Sequence, residues 1–271
     1  MNTRPIIVDL WPKGAPHQNG LSGPEINQGG KVGHVSQARL LVYLPDPEVS
    51  WSAAVLIFPG GGFHALNLES MGTDLAVWLA ERGIAGIVVK YRMPNGNPVI
   101  TGEDALQAML VAREHAEEWN IRRDKFGVCG YSIGGNTTAW LCNNAPDGVR
   151  PDFQMLFYPV ISMKDDFTHV PSRENLMGKH PEADIIAEYS NEVHINEHVP
   201  PTFIALSDND PVVSPAATAK YYVGLKKHKV PACMYIFPNG GHGWTIHSDF
   251  DYIEMCKELL FKWLKTQIPV I

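Results

Sequence analysis

The run Lys125-Phe126-Gly127-Val128-Cys129 passes without a break into Gly130-Tyr131-Ser132-Ile133-Gly134, and then into a stretch of helical character that reaches Asn143. An apolar strand that turns at once into a helix constrains this chain more than any other feature. The two backbones approach so closely at such a turn that glycine is needed two residues to either side of its apex. Ser132 is the apex, so its hydroxyl projects above the strand end instead of lying in a flexible loop. The following helix points unsatisfied N–H groups at that hydroxyl, Ile133 first among them. A serine held this way and reached by a histidine is a nucleophile suited to acyl transfer, and the N–H groups face the negative charge that acyl transfer develops.

The rest of the chain supplies a frame for this turn. Strands are expected at Leu40–Leu44, Ala54–Phe58, Ala85–Lys90, Phe126–Cys129, Phe153–Tyr158, Thr202–Leu206 and Ala232–Phe237. Most of these are continuous apolar runs, as in strands buried on both faces of a parallel sheet. Helices are expected between them, at Glu69–Glu81, Glu103–Trp119, Ile133–Asn143, Pro215–Lys227 and Asp249–Lys265. Alternating strands and helices give an α/β fold: a mostly parallel central sheet with helices on both faces. Leu40–Leu44 reads as an early antiparallel strand. Residues 1–35, rich in Pro, Gly and Asn, read as an irregular arm. Residues 162–199 are polar and only partly helical, and interrupt the rhythm where a lid or pocket wall is expected. The length of 271 residues suits one domain over 1–271.

Composition narrows the partners. A net charge of −7 argues against nucleic acid or an anionic membrane surface. The one basic cluster, Lys226-Lys227-His228-Lys229, reads as the solvated end of a helix. The 4 cysteines are far apart and form no C-x-x-C, so neither a disulfide framework nor a zinc ribbon is expected. Cys129 and Cys233, inside apolar runs, read as buried thiols. Apolar stretches are strand-sized, too short to cross a membrane. Ile6-Ile7-Val8 is too short for the core of a secretory leader, and Asp9 interrupts it. The expected compartment of the chain as given is the cytoplasm, or outside it if a leader has been removed. The sequence leaves oligomeric state open.

Functional groups in a parallel sheet gather beyond the carboxyl ends of its strands. After Thr202–Leu206 come Asp208 and Asp210; after Ala232–Phe237 comes His242, flanked by Gly241 and Gly243. His247 is the alternative base. Between the acids, Asp210 is favoured as the orienter of the histidine: Pro211 restricts the backbone before it, whereas Asp208 more naturally caps the turn. Phe58-Pro59-Gly60-Gly61-Gly62-Phe63 follows an apolar strand and is similar to an HGGG-type oxyanion loop with proline in place of histidine, a likeness that implies the backbone N–H groups of Gly61 and Gly62 as further donors. Tyr131 and Trp244 flank two of these residues and either line the substrate pocket or pack beneath it. Phe63 and His64 are placed to form a rim beside the glycine loop.

Other motifs are present in letter only. Gly60-Gly61-Gly62-Phe63-His64-Ala65 matches a dinucleotide fingerprint, but the next strand ends at Val89-Lys90-Tyr91 with no acid to hold a ribose. His194-Ile195-Asn196-Glu197-His198 matches H-x-x-E-H, but Pro200 and Pro201 follow at once, so the helix that zinc binding needs is not expected. Asn136-Thr137-Thr138 is a glycosylation sequon inside the helix after Ser132, where a glycan would block packing.

The order Ser132, Asp210, His242 and the Gly60–Gly62 loop resemble the α/β-hydrolase superfamily. The acid directly before a Pro-x-Val stretch also fits its pattern, and proline stands where the glycine loop usually has histidine. Leu10-Trp11-Pro12-Lys13-Gly14-Ala15-Pro16, Phe58-Pro59-Gly60-Gly61-Gly62-Phe63, Pro200-Pro201-Thr202-Phe203 and Gly240-Gly241-His242-Gly243-Trp244 resemble bacterial acetyl esterases and acetylxylan esterases within it. The resemblance spans nearly the whole chain. It implies hydrolysis of short acyl esters, often acetyl groups on sugars, by a serine triad that needs no cofactor or metal. The implied partner is a small-molecule or oligosaccharide ester. Feruloyl esters, peptide amides on the same scaffold, and plain ligand binding on a hydrolase fold remain the alternatives; the last would need a lost triad residue.

Overall fold

The computed structural model describes residues 4–269 of the 271-residue chain. In chain order the strands are β1 (Ile6–Asp9), β2 (Ile26–Gln28), β3 (Lys31–Gly33), β4 (Arg39–Tyr43), β5 (Ala53–Phe58), β6 (Ala65–Leu66), β7 (Ile84–Lys90), β8 (Phe126–Tyr131), β9 (Phe153–Phe157), β10 (Thr202–Ser207) and β11 (Ala232–Phe237). The helices are α1 (Asp74–Ala80), α2 (Val99–Glu114), α3 (Ile133–Asn144), α4 (Val170–Met177), α5 (Ala183–Glu188), α6 (Pro215–Lys227) and α7 (Ile253–Gln267).

The main sheet has 8 strands in the order β1-β4-β7-β5-β8-β9-β10-β11. β1 and β4 are antiparallel to their neighbours; from β7 to β11 the sheet is parallel. Every residue of β5, β7, β8, β9 and β10 is buried. Covering both faces of a parallel sheet with helices demands this, and it is why these strands read as unbroken apolar runs. From β5 the chain runs to β7 on one side and then returns to β8 on the other. Strand order therefore reverses between β5 and β8, and a crevice opens at their carboxyl ends. The register pairs Phe58 with Gly130, which sets the glycine loop after β5 beside the turn after β8.

The arm departs from expectation. Residues 1–35 are not irregular throughout: β1 pairs with the β4 edge, and β2 and β3 join β6 in a second sheet ordered β2-β3-β6. These strands are only 3–4 residues long and largely exposed, too short to show a period, and β1 and β3 take partners far along the chain. Side chains pin the arm down. The Trp11 indole donates to Asp104 Oδ1 at 2.7 Å, and Asp104 is also held by the buried Arg92 guanidinium. Cys233 is half-buried because β11 is an edge strand, whereas Cys129 is fully buried.

Helix ends also shift. The expected Glu69–Glu81 helix is a π-helical turn at Glu69–Thr73 leading into α1. α2 starts earlier and ends at Glu114, and α7 begins at Ile253. The polar excursion 162–199 carries α4, α5 and a 3-10 turn at Asn191–Val193. No helix among the described residues is long and apolar enough to cross a membrane.

Candidate active site

Ser132 has φ 53° and ψ −120°, a left-handed conformation rare outside glycine and held only where surrounding bonds over-determine it. Its N–H donates to the Phe157 carbonyl at 3.0 Å, and its own carbonyl accepts from Gly135 at 3.0 Å and Val160 at 2.9 Å. The glycines follow from close approach. A Cβ on Gly130 would overlap the Thr138 hydroxyl and the Gly134 carbonyl; one on Gly134 would overlap the Phe58 carbonyl.

The structure brings Ser132, His242 and Asp210 into one hydrogen-bonded line. Ser132 Oγ donates to His242 Nε2 at 2.8 Å, and His242 Nδ1 donates to Asp210 Oδ2 at 2.7 Å. The other carboxylate oxygen, Oδ1, accepts from the N–H groups of Val212 at 2.8 Å and Val213 at 2.9 Å. Burial alone would raise the Asp210 carboxyl pKa. The hydrogen bond from His242 and those from Val213 and Val212 outweigh it and hold the group below its ordinary range. Asp208, expected to cap this turn, is exposed and its side chain makes no hydrogen bond among the described residues. The neighbouring Asn209 does the tying instead, accepting from the Gly241 N–H at 2.9 Å and so joining the two loops. His247, the alternative base, is exposed and bonds neither Ser132 nor Asp210.

The glycine loop closes on itself. Gly61, at φ 137°, accepts from the N–H groups of His64 and Ala65 at 3.1 Å each, and Gly62 follows at φ 66°. Tyr91 donates its hydroxyl to the Pro59 carbonyl at 2.7 Å. Among the described residues, the N–H groups of Gly61, Gly62 and Ile133 donate to no protein acceptor. An N–H left free at this depth needs a partner, and a developing oxyanion is one.

The flanking aromatics are spent on packing. Tyr131 is 1% exposed and stacks on Phe157 at 4.7 Å between centroids. Trp244 is buried, stacks on Phe250 at 4.6 Å, and donates its indole N–H to Ser207 Oγ at 2.9 Å. Both rings pack, and Trp244 also borders a surface recess that His242 lines. Phe63 is also buried, edge-on to Tyr91, while His64 is exposed. Tyr158, marked by no sequence motif, is the ring that touches His242. It sits edge-on to the His242 imidazole at 4.7 Å, with its hydroxyl donating to the Trp244 carbonyl.

The excursion adds three residues that sequence reasoning missed. Asn175 donates its amide to the Gly62 carbonyl at 2.9 Å. Ser172, buried beside Gly62, bonds His169 Nδ1 at 2.7 Å. Burial, reinforced by nearby His242 and opposed by Asp210, pushes the His169 imidazole below its ordinary value. No signal in the sequence distinguishes these residues from the other polar side chains of 162–199.

The remaining motifs are placed elsewhere. His194 lies past the one-turn helix at Asn191–Val193, with Nε2 on the Ala187 carbonyl. Asn136 uses its amide on the carbonyls of Ile161 and Tyr189. Gly60–Ala65 leads into β6, not into a helix.

Comparison with known proteins bears on the fold and the family. Residues 55–246 match the family described as the alpha/beta hydrolase fold. An acetylxylan esterase of Xylanibacter ruminicola is 33% identical over 234 residues, which is 85% of this chain and 48% of that protein. An endo-1,4-beta-xylanase B of Butyrivibrio fibrisolvens is 28% identical over 228 residues, 78% of this chain and 35% of that protein. The chain thus spans half or less of the length of these curated relatives. The crystal structure of an acetyl ester-xyloside bifunctional hydrolase from Caldicellulosiruptor lactoaceticus superposes with TM-score 0.81 at 28% identity, covering 97% of this chain and 96% of that one. With its reversed parallel sheet, its strained serine turn and a family match over most of its length, the chain belongs to the α/β-hydrolase family.

Proposed function

We propose that the chain is a serine carboxylester hydrolase that removes short acyl groups, acetyl foremost, from sugar or small-alcohol esters. The unbroken line Asp210–His242–Ser132 beside three free backbone donors is the observation that carries this reading. Ser132 Oγ attacks the ester carbonyl as His242 Nε2 takes its proton. Negative charge then develops on the carbonyl oxygen, where the N–H groups of Gly61, Gly62 and Ile133 receive it. The imidazolium returns the proton to the leaving alcohol. Asp210 fixes the tautomer, with its proton on Nδ1, and stabilises the imidazolium. Water, deprotonated by the same imidazole, releases the acid from Ser132. Residues 162–199 act in this reading as a wall that braces the glycine loop. Supporting the acetyl ester are the acetylxylan esterase and the acetyl ester-xyloside hydrolase to which the chain is similar.

The test is a panel of acetyl, butyryl, octanoyl and feruloyl esters beside a peptide amide, read as kcat/KM for the intact chain and for Ser132→Ala. Acetyl esters are expected to be hydrolysed fastest, and Ser132→Ala to fold normally yet lose nearly all turnover. Faster octanoyl or amide hydrolysis overturns the substrate class, and near-normal turnover by Ser132→Ala overturns the mechanism.

A further inference from the structure

Met71 is buried, 6% exposed, and stands beside the nucleophile. A Cβ built on Gly60 would lie 2.9 Å from Ser132 Cβ and 3.0 Å from Met71 Sδ. The sulfur and the nucleophile thus flank the same bare glycine. A Cβ on Gly243, the residue after His242, would lie 4.0 Å from Met71 Cε. The thioether therefore spans from the glycine loop to the histidine loop along one side of Ser132.

The turn that carries Met71 is built to hold it there. Glu69–Thr73 is π-helical, with the Thr73 N–H donating to the Leu68 carbonyl at 2.9 Å. Wide turns of this kind re-aim side chains and are frequent at functional sites. The Asn67 N–H donates to the Gly60 carbonyl at 2.8 Å, which ties the start of the turn to the glycine loop. The Asn67 amide donates to Met71 Sδ at 3.5 Å and steadies the sulfur. Gly72 has no room for a side chain, since a Cβ there would meet Val88 at 2.8 Å and Pro59 at 3.3 Å. The backbone beside Met71 is therefore seated directly on the sheet.

Access decides which part of an ester Met71 meets. The leaving alcohol must reach water, and a water molecule must replace it, so the alcohol needs an open side. His242, which hands the alcohol its proton, lines an open recess of about 450 Å³ with Asn239, Ser248 and Asp249. The acyl group has the opposite requirement, because it stays on Ser132 Oγ between the two half-reactions. The side covered by Met71 is closed, apolar and held in place. A methyl group fits against such a wall, whereas each further methylene must push into packed side chains.

We propose that Met71 is the acyl-length stop of this site: its thioether receives the methyl of an acetyl group and excludes longer acyl chains. The proposal rests on the esterase reading above and goes beyond it in naming the residue that sets acyl length. The test compares p-nitrophenyl acetate with p-nitrophenyl butyrate, which differ only in the acyl chain. The intact chain is expected to favour the acetate in kcat/KM. Met71→Ala removes Cγ, Sδ and Cε and should raise the butyrate-to-acetate ratio about tenfold, the scale of the added methylenes in an apolar pocket. Met71→Leu, which conserves volume, should keep the ratio of the intact chain. Met71→Val removes less than alanine does and should move the ratio the same way; it carries the test if Met71→Ala does not fold. Ethyl acetate and butyl acetate vary the alcohol instead, and their ratio should stay as it is in the intact chain. Equal kcat/KM of the intact chain on the two nitrophenyl esters overturns the proposal. So does an unchanged butyrate ratio in the folded shortened variants, an equal rise in Met71→Leu, or a shift confined to the alcohol pair. Each of these leaves the esterase reading standing, whereas no hydrolysis of p-nitrophenyl acetate by the intact chain overturns both.

Discussion

The side-chain amide of Asn175 donates to the carbonyl of Gly62 at 2.9 Å, joining α4 to the glycine loop across 113 residues of sequence. That carbonyl belongs to the peptide unit after Gly62, and fixing it limits rotation of the turn that carries the Gly61 and Gly62 N–H groups. In the reading proposed above, the excursion is therefore part of the mounting of the oxyanion donors. Ser172, buried beside Gly62 and bonded to His169, supports the same loop from the same helix.

Asn175→Asp keeps the shape but removes the donor, leaving a carboxylate to face a carbonyl. A lost oxyanion donor costs about 10²–10³ in kcat, and a donor that is merely loosened should cost less, roughly tenfold. The loss should fall on kcat with KM for p-nitrophenyl acetate nearly unchanged, as expected of a positioning residue. An unchanged kcat would show that the glycine loop holds its shape unaided.

The two acids of the 207–213 loop should separate cleanly. Asp210→Asn favours the wrong histidine tautomer, and in the best-studied serine triad this change costs on the order of 10⁴ in kcat. Asp208→Asn alters an exposed side chain without a partner and should leave both kcat and the thermal midpoint within error. A larger catalytic loss in Asp208→Asn would mean that Asp208 orients the histidine.

Asp210 also predicts an acid-side stability change. Its folded pKa lies below the ordinary aspartate value of about 3.9, so the carboxylate stabilises the fold fully above that value. That contribution disappears as pH falls through the folded pKa. Thermal midpoints of the intact chain and Asp210→Asn should thus differ most near neutrality and converge below about pH 4. A gap that widens in acid would contradict the assigned direction.

Gly134→Ala tests the close approach of α3 to β5. The added methyl would meet the Phe58 carbonyl, which is backbone and cannot swing away. Overpacking of this kind costs about 1–3 kcal/mol or more, so the thermal midpoint should fall by several degrees. Activity should fall too, since Ser132 sits on the displaced turn. A midpoint equal to that of the unaltered chain would show that the helix can shift freely.

The sequence by itself determined whatever depends on contiguous residues. Between an apolar strand and a helix, backbone sterics make Gly130-Tyr131-Ser132-Ile133-Gly134 a sharp turn, and burial on two faces makes parallel strands readable as unbroken apolar runs. Pro215–Lys227, with proline in its first turn and lysines in its last, was bounded correctly from residue types alone. Asp210 and His242 were legible because a parallel sheet delivers every strand end to one edge, so position after a strand implies proximity to Ser132. The tertiary structure decided everything that depends on a distant partner. β1 is a strand because β4 offers it an edge, and Asn209 rather than Asp208 ties the loop because Gly241 lies within its reach. Tyr158, His169 and Asn175 gain their places only when the chain closes on itself. A polar side chain carries no local record of which backbone it will meet, and a three-residue strand buries too little to announce its own period.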